Sequence, residues 1–161
     1  MAAPSMDALA EEFAPQGVGS IFLYTNEAHP GENYPHLTSM DQKLRHANDL
    51  REKLGVTRPI LVDSLDGECH RAFGSMPNMA WIFSGAGIPV YKADWTDARS
   101  IRSAIEYFVE VTHRREGGER MAPFRVQRSD FREYDVEGFY KGLELSGQKA
   151  VSEFEAVFGR E

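Results

Sequence analysis

The chain is poor in cysteine, in positive charge and in long apolar runs, and each shortage excludes a class of protein. Its 161 residues contain one cysteine, Cys69, so the chain can form no internal disulfide, no Cys-x-x-Cys redox pair and no zinc site of several thiolates. The 18 lysines and arginines are outnumbered by 25 aspartates and glutamates, and the net charge of −7 argues against binding to nucleic acid or to an anionic membrane surface. No run approaches the roughly 18 apolar residues of a membrane span, and the amino terminus lacks a basic-then-apolar signal. We therefore expect a cytoplasmic protein with a small-molecule substrate and with neither a nucleic-acid nor a membrane partner.

The apolar sequence that is present suffices for one core, since 42% of the residues are hydrophobic and 27% are charged. Capping and turn residues divide residues 5–112 into helix-like and strand-like segments. The predicted order is a helix over 6–13, a strand over 19–25, a helix over 40–54, a strand over 59–63, a short helix over 67–73, a hairpin of strands over 79–83 and 88–92, and a helix over 97–113. These segments favour an α/β fold of three layers (α/β/α) with a mixed sheet. Their order is similar to the thioredoxin layout with its first strand missing.

The helix predicted over residues 40–54 has the clearest pattern. Ser39 and Gln42 form a capping box, and Gly55 is a typical helix end. An apolar stripe is expected to face the core, and it consists of Met40, Leu44, Ala47, Leu50 and Leu54. The same pattern places His46 on the exposed side of the helix.

Residues 113–161 differ in composition from residues 1–112. We predict a thioredoxin-like domain over 1–112, followed by a charged, glycine-broken linker and a helical extension over 113–161. The extension is rich in aromatic residues, and a helix is expected after Ser146. Because the segment is too short for a core of its own, we expect it to pack on the main domain or on a partner subunit.

The most informative stretch is residues 21–34, where a buried strand leads into a loop that carries an acid and an imidazole. Glu27 and His29 follow the strand, and ligands bind at the carboxyl ends of strands in open α/β sheets. His29 can donate or accept a proton near neutral pH, and Glu27 could orient it or hold it protonated. Tyr34 offers a substrate a flat apolar wall with a hydroxyl group. The residues alone leave two interpretations open, a catalytic His29 and a structural loop histidine.

This stretch resembles the iodothyronine deiodinase family, whose hallmark is an apolar strand that ends in Glu-Ala-His-Pro and is followed by an aromatic residue. Residues 27–30 and Tyr34 match the pattern, with Tyr34 where a tryptophan is usual, and the similarity extends over residues 5–112. The resemblance implies a thioredoxin-like oxidoreductase in which a cysteine or selenocysteine removes iodine from an aromatic ring, or carries out a related reduction of a small aromatic or peroxide substrate. It implies that His29 assists at the phenolic end. It also implies an external thiol reductant with no bound cofactor, and it allows a homodimer.

The sequence departs from the family pattern where the nucleophile belongs. That position falls at about Ala2 or Ala3 and carries neither sulfur nor selenium, and the strand that precedes it in the family is also missing. Two explanations stay open. In the first, an upstream codon, or a stop codon read as selenocysteine, supplies the strand and the nucleophile ahead of Met1. In the second, the protein is a catalytically inactive relative that acts as a binding or interaction module.

Three residues outside the loop are further site candidates. Cys69 is a substitute nucleophile on the short helix, although Glu68 beside it would raise the pKa of the thiol. Met76 and Pro77 precede a predicted strand with the spacing of the active-site cis-proline in thioredoxin-like folds, so we expect both to contact substrate, with a cis or a trans bond before Pro77. We expect no metal site, because no two histidines have the i, i+4 spacing of a helical ligand pair.

Overall fold

The computed structural model describes residues 3–120 and 135–159, so Ala2, one of the two expected nucleophile positions, lies outside the described residues. The fold is mixed α/β. Its elements in chain order are α1 (Ala3–Phe13), β1 (Phe22–Tyr24), α2 (Met40–Leu54), β2 (Ile60–Val62), α3 (Glu68–Phe73), β3 (Ala80–Phe83), β4 (Pro89–Ala93), α4 (Ala98–Glu116), α5 (Val136–Ser146) and α6 (Gln148–Phe158). None of these helices, in the part of the chain that the structure describes, is long and apolar enough to cross a membrane.

The described strands form two separate two-stranded sheets. β1 pairs with β2 in parallel, with Phe22 opposite Ile60, and β3 pairs with β4 in antiparallel orientation. This differs from the expected single mixed sheet, because within residues 3–120 and 135–159 β1 and β3 each have a partner on one edge only and do not pair with each other. The two sheets are therefore joined through helices and loops rather than through backbone hydrogen bonds.

α2 has the predicted ends but a different buried face. The Ser39 side chain accepts a hydrogen bond from the Gln42 N–H at 3.2 Å, and Gly55 ends the helix in the left-handed conformation, with φ of 67°. The expected stripe is wrong at Met40 and Leu44, which are 37% and 51% exposed, whereas Lys43 is fully buried. Lys43 tolerates burial because its Nζ donates to the carbonyl oxygen of Ser64 at 2.6 Å, a contact between segments that the helical period does not reveal.

The main core lies between α1, α4 and the β3–β4 sheet. Leu9 and Phe13 of α1 pack against Ile101 and Ile105 of α4, and one face of β3 covers this cluster. These side chains recur at helical spacing on both helices, so each helix turns one apolar face toward this cluster.

The described part of the extension is a hairpin of two helices, α5 and α6, which we call the C-terminal hairpin. Its own small core consists of Leu143, Ala150 and Val151, with the aromatic rings of Phe139, Tyr140 and Phe154 packed against it. Ser146 ends α5, and the helix expected after Ser146 begins at Gln148. The hairpin packs on the loop between β1 and α2, through contacts described below.

Candidate functional site

A cavity of about 1430 Å³ is bordered by β1 and the loop after it, by β3, and by the helices around them. Five of the six site residues expected from the sequence border this cavity: Glu27, His29, Cys69, Met76 and Pro77. The sixth, Tyr34, does not border it. The structure therefore brings residues from distant parts of the sequence to one cavity.

His29 lies at this cavity and is held between aromatic rings of the C-terminal hairpin. Its ring is 5.7 Å, centroid to centroid, from those of Phe139 and Phe154, and both rings meet it nearly at right angles. Although His29 is exposed to solvent, the partial desolvation beside these rings lowers the pKa of its imidazole below the ordinary value. The imidazole is therefore neutral at pH 7, so it can accept a proton or a hydrogen bond at one nitrogen and donate at the other.

The loop that carries His29 is attached to the hairpin by backbone and carboxylate hydrogen bonds. Asn33 donates its backbone N–H to the carbonyl oxygen of Ser146 at 3.1 Å, and its side-chain Nδ2 donates to the carbonyl oxygen of Leu145 at 3.3 Å. The Glu32 carboxylate accepts the backbone N–H of Lys149 at 3.0 Å, in the first turn of α6. The position of His29 thus depends on residues more than a hundred positions away in the sequence.

Glu27 does not orient His29. The Tyr24 hydroxyl donates a hydrogen bond to Glu27 Oε1, and the Nδ1 atom of His46 lies 3.3 Å from the same oxygen. The sequence-based expectation that His46 is exposed is also wrong, because the loop folds back over α2 and leaves His46 8% exposed. Glu27 is therefore paired with the imidazole of His46 and not with that of His29.

Tyr24, which donates the hydrogen bond to Glu27, is a buried residue. Burial, followed by the hydrogen bond to Glu27, raises the pKa of Tyr24 well above its ordinary value. The hydroxyl therefore stays protonated and acts as a donor to the carboxylate. Tyr24 and Glu27 both border the cavity, and the hydrogen bond between their side chains ties the end of β1 to the loop that follows it.

Tyr34 packs against α2 and does not border the cavity, so its expected role as a wall for a substrate stays a prediction that this cavity does not support. Its ring lies edge-on to that of His46, with the centroids 5.0 Å apart. Its hydroxyl donates to Asp49 Oδ2 at 2.8 Å and accepts from Lys53 Nζ at 2.9 Å. The Lys53 ammonium group, followed by the Tyr34 hydroxyl, lowers the pKa of Asp49. Tyr34 therefore links the loop to α2 and covers His46.

Cys69 borders the cavity but has the surroundings of an inactive thiol. Burial and the negative charge of Asp63 raise the pKa of the Cys69 thiol. The Asp63 carboxylate accepts the backbone N–H groups of Cys69 at 3.0 Å and of His70 at 2.8 Å, so it satisfies the first turn of α3. A nucleophilic cysteine needs the opposite effect, a lowered pKa that yields thiolate near pH 7.

Met76 and Pro77 lie in the segment between α3 and β3. The Nε2 atom of His70 is 2.8 Å from the carbonyl oxygen of Met76, which ties this segment to α3. None of the described peptide bonds is cis, so the bond before Pro77 is trans. Both residues border the cavity, as the site prediction requires.

Sequence reasoning missed an aromatic wall next to these residues. Phe73 of α3 lies 5.4 Å from Trp81 and 6.0 Å from Phe83, measured between ring centroids. The indole Nε1 of Trp81 is buried without a hydrogen-bond partner in the described residues. The only available sign was that Trp81 and Phe83 share one face of a predicted strand.

Compared with protein-family models, with curated proteins and with solved structures, the chain gives no match. The likeness to the deiodinase family therefore depends on the residues quoted from the sequence. The described residues also contain no group of three or more histidine, cysteine, aspartate or glutamate side chains placed to hold a metal ion.

Proposed function

We propose that the protein is a thioredoxin-like oxidoreductase related to the iodothyronine deiodinases, which binds a small halogenated aromatic molecule in the cavity beside His29. The observation that carries this proposal is the position of His29 after the carboxyl end of β1. There it borders the cavity, lies between two aromatic rings and has a lowered pKa. A neutral imidazole in such a place suits a phenol, which it can hydrogen-bond and from which it can take a proton.

The aromatic character of the cavity supports an aromatic substrate. A planar ring can stack on two surfaces of the cavity. One is formed by the rings that meet His29 edge-on, and the other is the wall of Phe73, Trp81 and Phe83. The buried indole N–H of Trp81 is a donor that has no partner in the described residues. A polar substituent on the ligand would satisfy it.

The reaction we propose replaces a carbon–iodine bond by a carbon–hydrogen bond. A chalcogen nucleophile R–XH takes the iodine, so Ar–I and R–XH give Ar–H and R–X–I. The aromatic carbon is reduced and the chalcogen is oxidised. Two external thiols R′SH then restore R–XH, release HI and form the disulfide R′S–SR′. In this scheme His29 holds the phenolic proton while the ring carbon is protonated.

The nucleophile is the part that the described residues do not provide. Cys69 is the only cysteine of the chain, and the raised pKa of its thiol makes it a poor nucleophile at pH 7. This observation favours a second candidate function, in which the same cavity binds the aromatic molecule without turnover. The two candidates share the ligand and differ in iodide release.

Binding is tested with 2,6-diiodophenol and with 2,6-dimethylphenol, a phenol of similar shape that has no halogen. Trp81 and Trp95 border the cavity, so quenching of tryptophan fluorescence reports occupancy. We expect His29→Ala to raise the Kd for 2,6-diiodophenol about three- to tenfold, which is the free energy of one hydrogen bond. The matched control is His36→Ala, which changes an exposed histidine outside this cavity. Equal Kd values for the His29→Ala and His36→Ala variants would show that His29 does not contact the ligand.

Turnover is tested by iodide release from 2,6-diiodophenol in excess dithiothreitol, against a protein-free control. Release that disappears in His29→Ala and persists in Cys69→Ser supports the oxidoreductase with a nucleophile other than Cys69. The second sample is a form of the chain that is extended at its amino end with a strand and a cysteine. If both the chain and the extended form bind 2,6-diiodophenol but release no more iodide than the protein-free control, the result supports the binding module.

A further inference from the structure

One face of α5 borders the cavity along the whole length of the helix. The residues of α5 that border the cavity recur at intervals of three and four, which is the spacing of a single helical face. They are Gly138, Phe139, Gly142, Leu143 and Ser146, and the N-cap residue Asp135 continues the same face. The C-terminal hairpin therefore supplies part of the surface that a ligand in the cavity meets.

Phe139 is the aromatic residue of this face. Leu143, the other large apolar residue on it, is 2% exposed and belongs to the core of the hairpin, whereas Phe139 is half-buried. Within residues 135–159, Phe139 is the only aromatic residue that borders the cavity. A planar ligand that lies against α5 therefore meets the ring of Phe139.

The two rings that meet His29 edge-on differ in their relation to the cavity. The rings of Phe139 and Phe154 are equally far from the imidazole, 5.7 Å between centroids, and both are nearly perpendicular to it. They also pack on each other, with their centroids 4.8 Å apart. Phe139 borders the cavity, whereas Phe154 does not. The two phenylalanines thus make equal contacts with His29, but only Phe139 is placed to contact a ligand.

The position of Phe139 beside His29 determines which part of a phenol it meets. In the proposed binding mode the phenolic hydroxyl is hydrogen-bonded to the imidazole, and the ortho substituents are the groups next to that hydroxyl. Because the Phe139 ring lies directly beside the imidazole, one ortho substituent of the bound phenol packs against this ring. A group that is too large for the space must displace the ring, which costs binding free energy.

We propose that Phe139 is a specificity-determining residue, which limits the size of the substituents ortho to the hydroxyl group of the ligand. The ring disfavours a branched substituent such as isopropyl relative to a compact one such as iodine or methyl. Phe139 contacts the ligand and takes no part in proton transfer. Because α5 lies outside residues 5–112, over which the sequence resembles the deiodinases, this selection belongs to the extension of this chain.

This inference rests on the proposed function, because it requires that His29 binds the phenolic hydroxyl. The test compares Phe139→Leu with the matched control Phe154→Leu. Each variant removes one ring at the same distance from His29, and leucine keeps an apolar side chain in the core of the hairpin. The thermal midpoints of both variants show how much packing each substitution removes.

Kd values are measured by quenching of tryptophan fluorescence for 2,6-diiodophenol, 2,6-dimethylphenol and 2,6-diisopropylphenol. The quantity compared is the Kd for 2,6-diisopropylphenol divided by the Kd for 2,6-dimethylphenol. These two phenols differ in the size of their ortho groups and carry no halogen. A general weakening of binding cancels in this ratio, so the ratio reports selection by size.

We expect Phe139→Leu to lower this ratio at least about tenfold, because the shorter side chain leaves room for the isopropyl group. The ratio for Phe154→Leu should equal that of the wild type, since Phe154 does not border the cavity. Phe139→Met is a second variant with a flexible apolar side chain, and it should lower the ratio in the same direction even if Phe139→Leu does not fold.

The possible results separate this inference from the proposed function. A wild-type ratio in the folded Phe139 variants, with 2,6-diiodophenol still bound, would overturn the role of Phe139 and leave the proposed function standing. An equal decrease in Phe139→Leu and Phe154→Leu would assign size selection to the hairpin as a whole and overturn the assignment to Phe139. If the wild type binds none of the three phenols, the proposed function fails and this inference fails with it.

Discussion

The two sides of the cavity differ in the chemistry they can support. On the side of β1 and its loop, Tyr24 and Glu27 are hydrogen-bonded to each other and His29 is held between aromatic rings. On the side of α3 and β3 lie aromatic rings and Cys69, a thiol with a raised pKa. The first side thus carries an imidazole that can exchange a proton, whereas the thiol on the second side has a raised pKa and forms little thiolate at pH 7. The proposed reduction therefore needs a nucleophile other than the Cys69 thiol.

Glu27 and His29 are only two residues apart on the side of β1, but their side chains contact different parts of the molecule. Glu27 faces α2, where it meets Tyr24 and His46, whereas His29 faces the C-terminal hairpin. The C-terminal hairpin thus determines the surroundings of His29, the residue on which the proposed function mainly depends. Four substitutions test these differences around the cavity, from the largest expected effect to the smallest.

The largest effect is expected from Gly31→Ala, which should loosen the hairpin from the loop. A Cβ at Gly31 would clash with the carbonyl oxygen of Ser146, and this oxygen belongs to backbone that cannot rotate away. We expect a loss of about 1–3 kcal/mol in the free energy of unfolding and faster exchange at the Asn33 amide. The control is Gly85→Ala, because a Cβ at Gly85 meets nothing within 4 Å. Equal stability of the two variants, measured by urea unfolding, would contradict the packing described here.

Glu27→Gln should have a smaller effect on stability. The amide keeps an acceptor for Tyr24 but loses the charge beside His46, so we expect a loss of about 1 kcal/mol. Glu11→Gln, on the exposed face of α1, is the control. If both variants unfold at the same urea concentration, the Glu27 carboxylate is not part of a stabilising pair.

The third prediction concerns the pKa of His29, measured by NMR titration of the imidazole protons. It should lie below the ordinary value, and Phe154→Ala should raise it, because removing the ring hydrates the imidazole. Phe158→Ala, at a ring that is 70% exposed, should leave it unchanged. Because the folded state disfavours the proton, His29 contributes full stability above about pH 6.5, and this contribution falls as the pH drops through the lowered pKa. A His29 pKa that is the same in wild type and Phe154→Ala would show that the hairpin does not desolvate it.

The smallest effect is expected at Cys69. Its thiol should react with iodoacetamide more slowly at pH 7 than free cysteine does, because less of it is thiolate. Cys69→Ser should leave the Kd for 2,6-diiodophenol unchanged, in contrast to His29→Ala. Alkylation faster than that of free cysteine would show that Cys69 is activated and would restore it as a nucleophile.

The sequence alone determined the elements that local rules control. α2 begins after its Ser39 cap and ends at Gly55, as predicted, because a cap and a left-handed glycine act within a few residues. The strand–loop position of Glu27 and His29 was predictable for the same reason, since an apolar run followed by polar residues marks the end of a strand.

The tertiary structure decided what these residues contact. Side chains distant in sequence turned Glu27 toward His46, moved Tyr34 out of the cavity wall, buried Lys43 and placed the rings of Phe139 and Phe154 around His29. No periodicity within a segment encodes such contacts, because they depend on which surfaces meet when the loop, α2 and the hairpin pack together.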